Sequence, residues 1–162
     1  GLTGIPNRRR FDEVLKAEWQ RAIRHATSIS LIMLDIDFFK PINDSYGHPC
    51  GDYILRAFAA LLTSSIRSTD ILARYGGEEF CCLLPETKID PAKDLAERIR
   101  ERTKESIFTY HDIQLKITVS GGVAEMHPGM ASVDALLESA DKALYRAKET
   151  GRNKIVVGKF FT

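Results

Sequence analysis

Two pairs of acids mark where this chain could do chemistry. Asp35 and Asp37 close a nearly continuous apolar run, Ser30 to Ile36, and Glu78 and Glu79 follow a Gly76-Gly77 dipeptide. A divalent cation such as Mg²⁺ binds hard oxygen ligands, usually one or two carboxylates completed by substrate phosphates and water. Asp35 and Glu78 can supply two carboxylates if their strand ends are neighbours, and the carbonyl of Ile36 can add an oxygen. Each acid alone has a plainer reading, a polar strand terminus for Asp35 and a turn acid for Glu78. Basic residues stand where phosphate would need them: Lys40 just after the first pair, Lys148 and Arg152 near the C-terminus. Lys148 and Arg152 would also suit the negative end of a helix with no ligand at all.

These residues need elements that hold them together. The glycines lie between two apolar runs, Ile71 to Tyr75 and Phe80 to Leu84. They read as a hairpin turn, because glycine accepts the positive φ of tight turns. That turn would lift Glu78 and Glu79 to an exposed edge. Ser30 to Ile36 suits a strand buried on both faces. Period two puts Asp35 and Asp37 on one face of it. The segment Lys40 to Gly51, rich in Pro, Asn, Asp and Gly, reads as a loop. Asn7 caps a helix to about His25, and Asp52 opens another to about Ile66. Asp90 and Pro91 give the cap and first position of a third, whose charged run Lys93 to Arg102 reads as a solvated face. Ser132 caps the last helix and Gly151 ends it. Phe108 to His111 and Ile113 to Met126 read as a second hairpin, and Lys154 to Val157 as a short closing strand. Alternating helices and strands give one mixed domain with helices packed on a central sheet.

Composition narrows the function. The 162 residues suffice for one substantial core, and 44% hydrophobic with 28% charged is ordinary for a globular chain. A formal net charge of +1 argues against nucleic-acid binding through bulk charge. The cations of Asn7 to Arg10 read as a cap followed by solvated side chains. Cys50, Cys81 and Cys82 show no metal-ligand spacing and read as reduced thiols of a cytoplasmic domain. If Cys81 and Cys82 lie in a strand, they point to opposite faces. No apolar stretch approaches the ~20 residues of a membrane span. No membrane contact is therefore expected of this domain, although an anchor could lie upstream in a parent protein.

Several ordered blocks carry a family resemblance. They are Leu2-Thr3-Gly4-Ile5-Pro6-Asn7-Arg8-Arg9, Leu34-Asp35-Ile36-Asp37-Phe38-Phe39-Lys40, Ile42-Asn43-Asp44, Gly47-His48, Gly51-Asp52, Gly76 to Phe80, and Ala147-Lys148 with Gly151-Arg152-Asn153-Lys154. In order and spacing they resemble the GGDEF-type diguanylate cyclases, in the GGEEF variant, over essentially the whole chain. The resemblance implies an α+β fold (an α/β sandwich), with an antiparallel-rich central sheet flanked by helices. That is a ferredoxin-like palm similar to the palms of adenylyl cyclases and nucleotide polymerases. It implies one GGDEF-type catalytic domain over 1–162. The family's opening motif usually has an aspartate two places before the leucine, a position that falls before Gly1. The domain is therefore expected to be cut from a longer protein with an upstream regulatory region.

The implied reaction joins two GTP molecules into cyclic di-GMP and releases two pyrophosphates. It uses Mg²⁺ or Mn²⁺, two ions per site with GTP bound, and a transient homodimer. By the same resemblance Asp35, Glu78 and the Ile36 carbonyl hold metal. Glu79 lies beside the reacting 3′-hydroxyl, as a metal ligand or as the base. Asp37, although it shares a face with Asp35, reads from its own position as a support behind the site or as a structural acid. Asn43 and Asp52 read guanine, whose N1–H and 2-amino group a carboxylate can accept. Asp52 would equally complement a helix dipole. Leu2, Phe39 and Leu55 form apolar walls of the base pocket or plain core. Backbone N–H groups of Phe38 to Lys40 and the side chains of Lys40, Lys148 and Arg152 hold phosphates. Arg67-Ser68-Thr69-Asp70 matches the family's product-inhibition motif, with Arg98 as a second arginine for cyclic di-GMP. The competing reading is a catalytically silent module that binds GTP or cyclic di-GMP. The retained acids and phosphate-binding cations favour the enzyme.

Overall fold

In the computed structural model, which describes residues 1–159, a central strand organises everything else. β1 (Ile29–Ile36) is buried along its whole length. It pairs antiparallel with β3 (Glu79–Pro85) on one side and with β6 (Val119–Glu125) on the other. β2 (Ile71–Arg74) extends the sheet beyond β3, and β7 (Ile155–Val157) runs parallel to β6. The order is β2-β3-β1-β6-β7, so the sheet is antiparallel except at one edge. This is the expected α+β sandwich.

Side-chain alternation along β1 builds two cores. Ile32 and Leu34 pack with α3 (His48–Ser65) and α4 (Ile89–Glu105), through Ile54, Phe58 and Ile99. Leu31 and Met33 pack with α1 (Arg8–His25) and α5 (Val133–Glu149), through Phe11, Leu15 and Leu136. Cys82 joins the first core and Cys81 the second, as strand alternation requires. All three cysteines are buried and free. No described helix is long and apolar enough to cross a membrane.

The structure departs from the sequence-based expectations at several places. The polar segment after β1 contains a helix, α2 (Phe39–Tyr46), and α3 starts at His48 rather than Asp52. Pro41 and Pro49 sit in first turns, where a missing N–H breaks no helical bond. Gly47 joins the two helices at φ 89, a conformation open to glycine. α4 likewise starts early. Lys88 is its N-cap, Asp90 falls inside the first turn, and Glu125 from β6 accepts the Ile89 N–H. Ser132 stands at the N-cap of α5 without a capping hydrogen bond.

The expected second hairpin is split. β4 (Phe108–Tyr110) pairs with β5 (Ile113–Leu115) as a separate ribbon, and β6 belongs to the main sheet. A Cβ on Gly122 would collide with the α5 backbone at Ala140 and Leu144, so the helix lies directly on this strand. That close approach commits β6 to the sheet. Finally, neither Gly76 nor Gly77 adopts a positive φ; among the described glycines Gly4, Gly47 and Gly151 do. The turn exists, but its glycines are there for another reason.

Candidate functional site

Strand register brings the acids together. Asp35 sits opposite Glu79 of β3 and opposite Ser120 of β6. The Ile36 N–H donates to the Glu78 carbonyl at 3.3 Å, tying the end of β1 to the turn. The Tyr75 and Gly76 N–H groups both donate to the Glu79 carbonyl, at 2.8 and 3.2 Å. Arg74 closes the turn from outside, with Nε and Nη2 donating to the Gly77 carbonyl at 3.1 and 2.8 Å. The Glu79 side chain lies over Gly76, where an added Cβ would sit 3.3 Å from Oε1. Gly77 has nothing within 4 Å of where a Cβ would be. The glycines keep the turn bare and leave space above it.

Asp35 is the unusual group here. It is 4% exposed, and Lys148 Nζ donates to its Oδ2 at 2.7 Å. Its Oδ1 is buried with no hydrogen-bond partner. Burial, with Glu78 and Glu79 adding to it against the pull of Lys148, lifts the Asp35 pKa from 3.8 to about 6. Burial, and then the nearby Asp141, also raises Glu79. A buried carboxylate oxygen left unpaired is costly and has lone pairs free to take a cation. Among the described residues no three His, Cys, Asp or Glu side chains cluster as a ready metal cage. The donors fit a cation held by two carboxylates, a carbonyl and a ligand's own oxygens.

Asp37 is the contrasting acid, 2% exposed and fully used. It accepts from Thr118 Oγ1, Ser120 Oγ and the Asn153 N–H at 2.7, 2.7 and 2.9 Å. Arg152 approaches it at 3.9 Å and stacks on the ring of Phe38, with Cζ 4.8 Å from the ring centre. Phe38 is 61% exposed and has φ 56. Lys40 is exposed on the first turn of α2 and, among the described residues, pairs with no acid. So Lys148 and Arg152 gather at the acids, and Lys40 stands apart.

The other expected binding residues meet where α2 joins α3. Asn43 Oδ1 is buried without a partner and occupies the place a Cβ on Gly51 would take. Phe39 also crowds Gly51, with a ring carbon 3.2 Å from that Cβ position. Asp52 is half-buried on α3. Phe39 and Leu55 are 7% and 2% exposed, and Leu2 packs against the same cluster, so these three act mainly as core.

A second site lies at the far end of β3. The Arg67 N–H and Nε donate to Asp70 Oδ2 at 2.9 and 3.5 Å, and Nη2 donates to Oδ1 at 3.2 Å. Nη2 also reaches Thr87 Oγ1 at 2.6 Å. The Asp70 side chain is fully buried, while that of Arg67 is 61% exposed. Arg67, Asp70, Thr87 and the exposed Arg98 of α4 line one groove of about 410 Å³. Sequence reasoning had no signal for Thr87 or for the Arg74 clamp. It also read the α4 charges as solvated, yet Arg100 is 16% exposed and donates to Glu97, Glu101 and Asn153.

Comparison with known proteins gives one answer. Residues 1–154 match the family described as "Diguanylate cyclase, GGDEF domain". The chain is 42% identical over 132 residues to diguanylate cyclase A of Treponema denticola, covering 82% of this chain and 36% of that protein. It is 42% identical over 157 residues to the response regulator PleD of Caulobacter vibrioides, covering 96% of this chain and 35% of that protein. The chain thus spans about a third of the length of these relatives. Its fold superposes on the GGDEF domain of DgcB from Caulobacter crescentus in complex with c-di-GMP. That match has TM-score 0.95 and 36% identity over 99% of this chain and 92% of the other. The active GGEEF domain of a diguanylate cyclase from Vibrio cholerae matches with TM-score 0.91 and 36% identity, over 97% and 99% of the two chains.

Proposed function

This chain belongs to the diguanylate cyclase GGDEF-domain family, and on that premise we propose that it condenses two GTP molecules into cyclic di-GMP with release of two pyrophosphates. The observation that carries the reading is Asp35, a buried acid with one unpaired oxygen, a raised pKa and an ammonium on its other oxygen. Asp35, Glu78 and the Ile36 carbonyl would hold Mg²⁺ or Mn²⁺, two ions when GTP is present. A cation held there would supply charge neutralisation on the triphosphate and would favour ionisation of the attacking 3′-hydroxyl.

The chain's own residues do the rest. Lys148 balances the charge of Asp35, and with Arg152, Lys40 and the N–H groups of Phe38 to Lys40 it binds phosphate oxygens. Glu79, with its raised proton affinity, accepts the 3′-hydroxyl proton or shares the cation. The bare Gly76-Gly77 turn lets the nucleotide approach the backbone. Asp52 and the unpaired Asn43 Oδ1 accept from the edge of guanine. The groove of Arg67, Asp70 and Arg98 takes cyclic di-GMP as a feedback inhibitor. The buried free thiols fit a reducing cytoplasm.

One set of these residues serves one GTP, and the product has two equivalent links. Each link forms when a 3′-hydroxyl attacks the α-phosphorus of the other nucleotide. Two domains facing each other across a two-fold axis supply both. Incubation with GTP and Mg²⁺, followed by chromatography, should give cyclic di-GMP and pyrophosphate. Specific activity should rise with protein concentration. A chain that binds GTP and yields no product is a nucleotide-binding module instead, and a flat specific activity from a monomer rules out the two-domain arrangement.

A further inference from the structure

The turn that carries Arg152 is strained. Gly151, Arg152 and Asn153 follow one another at φ 122, 65 and 49. Two successive non-glycine residues in the left-handed region persist only where the surroundings hold them. The holders are identifiable. The Arg152 N–H donates to the Ala147 carbonyl at 2.9 Å, and Asn153 Oδ1 accepts from Arg100 Nη1 at 3.2 Å. The contact across the fold is the part-buried Asn153 N–H to Asp37 Oδ2 at 2.9 Å. Asp37 is itself fixed to the strand β6 side through Thr118 and Ser120. One carboxylate therefore joins the end of β1, the start of β6 and the loop after α5. Its other oxygen lies 3.9 Å from Arg152 Nη1.

We propose that Asp37 is a positioning residue for nucleotide binding: it holds the 151–153 turn in its strained form and so keeps the Arg152 guanidinium at the rim of the acid site. The inference rests on the reading of Arg152 as a phosphate-binding cation. A carboxylate used only to join strands needs no left-handed arginine beside it. Here its oxygens are divided between the sheet and the turn. Loss of Asp37 leaves the Asn153 N–H without its acceptor, and the turn relaxes toward ordinary φ values. Arg152 then leaves the ring of Phe38 and the phosphate side of the site.

The test is GTP affinity with Mg²⁺, read by calorimetry on the whole chain, with thermal melts to verify folding. Asp37→Ala should weaken GTP binding roughly tenfold or more, the loss expected from a charged hydrogen bond. Asp37→Asn should lose less, because its remaining oxygen can still accept the Asn153 N–H. In an Arg152→Ala background, Asp37→Ala should add little, since both act through one guanidinium. Wild-type affinity in Asp37→Ala or Asp37→Asn, or penalties that multiply in full in the double variant, would overturn the role. If Asp37→Ala does not fold, Asp37→Asn with and without Arg152→Ala decides by the same criteria. A wild-type chain that binds no GTP overturns the reading of the site itself, and this shows before any substitution is made.

Discussion

β3 joins two sites that treat a buried acid in opposite ways. At its start, Asp35 keeps one oxygen without a partner and a pKa of about 6. At its end, Asp70 has both oxygens bonded to Arg67 and a fully buried side chain. The seven residues of β3 separate them by roughly 20 Å. Asp35 is incomplete, which suits the cation and phosphate proposed for it. Asp70 is complete, and it holds an exposed arginine beside the groove. An under-satisfied acid marks chemistry, and a saturated acid marks a scaffold for recognition.

The sharpest way to break this contrast is Glu78→Gln. It keeps size and removes a ligand charge at the incomplete end. Turnover should fall roughly a hundredfold or more, the scale seen when one charge-stabilising group is lost from an active site. Cyclic di-GMP binding in the groove, measured by calorimetry, should persist. Near-normal turnover with an unchanged melting temperature would remove Glu78 from the site.

Asp52→Ser probes the same end at the base. GTP preference over ATP should drop by about tenfold to a hundredfold, because the acceptor for the guanine edge is gone. An unchanged GTP-to-ATP ratio of kcat/KM would leave Asp52 as a helix acid only.

The complete end is tested through its two arginines. Arg67→Ala should abolish product inhibition, hold the initial rate within about twofold, and cost about 1–3 kcal/mol because Asp70 loses a buried charged partner. Arg98→Ala should weaken inhibition with no such loss, since the residue is exposed. Equal inhibition of both variants and wild type by added cyclic di-GMP would discard the groove as the feedback site.

The smallest effect is a pH dependence of stability. Asp35 holds its proton more tightly in the fold than its ordinary value of 3.8, so its contribution to stability falls as pH rises from about 4 to about 6. Asp35→Asn removes that burden. At pH 8 it should melt above wild type while lacking turnover, with the advantage fading near pH 4. Lys148 is partly exposed and tolerates losing its partner. A variant that melts lower at pH 8 would show Asp35 to be a stabilising ion pair.

Much of this is legible in the sequence. The apolar run Ser30 to Ile36 required a central strand, and the Gly76-Gly77 interruption required a turn that carries two acids. The blocks around them resembled one family over the whole chain, and that resemblance supplied the roles. Local readings failed where composition misled. Pro41, Asn43 and Gly47 looked like loop residues, yet prolines in first turns and one glycine at φ 89 allow two helices in succession. The glycines of the signature turn were read through φ, and their real use is to stay bare beside Glu79.

The sequence by itself determined most of the elements, the two-faced burial of β1 and, through the family resemblance, which residues are candidates for metal, phosphate and base. The elements and the burial follow from periodicity, which is local. Only the tertiary structure decided that Asp35 is short of a partner while Asp37, two residues on, is saturated. Both are aspartates at the end of one strand. They differ because Thr118, Ser120 and Asn153 arrive from distant parts of the chain to satisfy one of them, and Lys148 alone reaches the other. Hydrogen-bond satisfaction of a buried charge depends on what the rest of the fold brings to it.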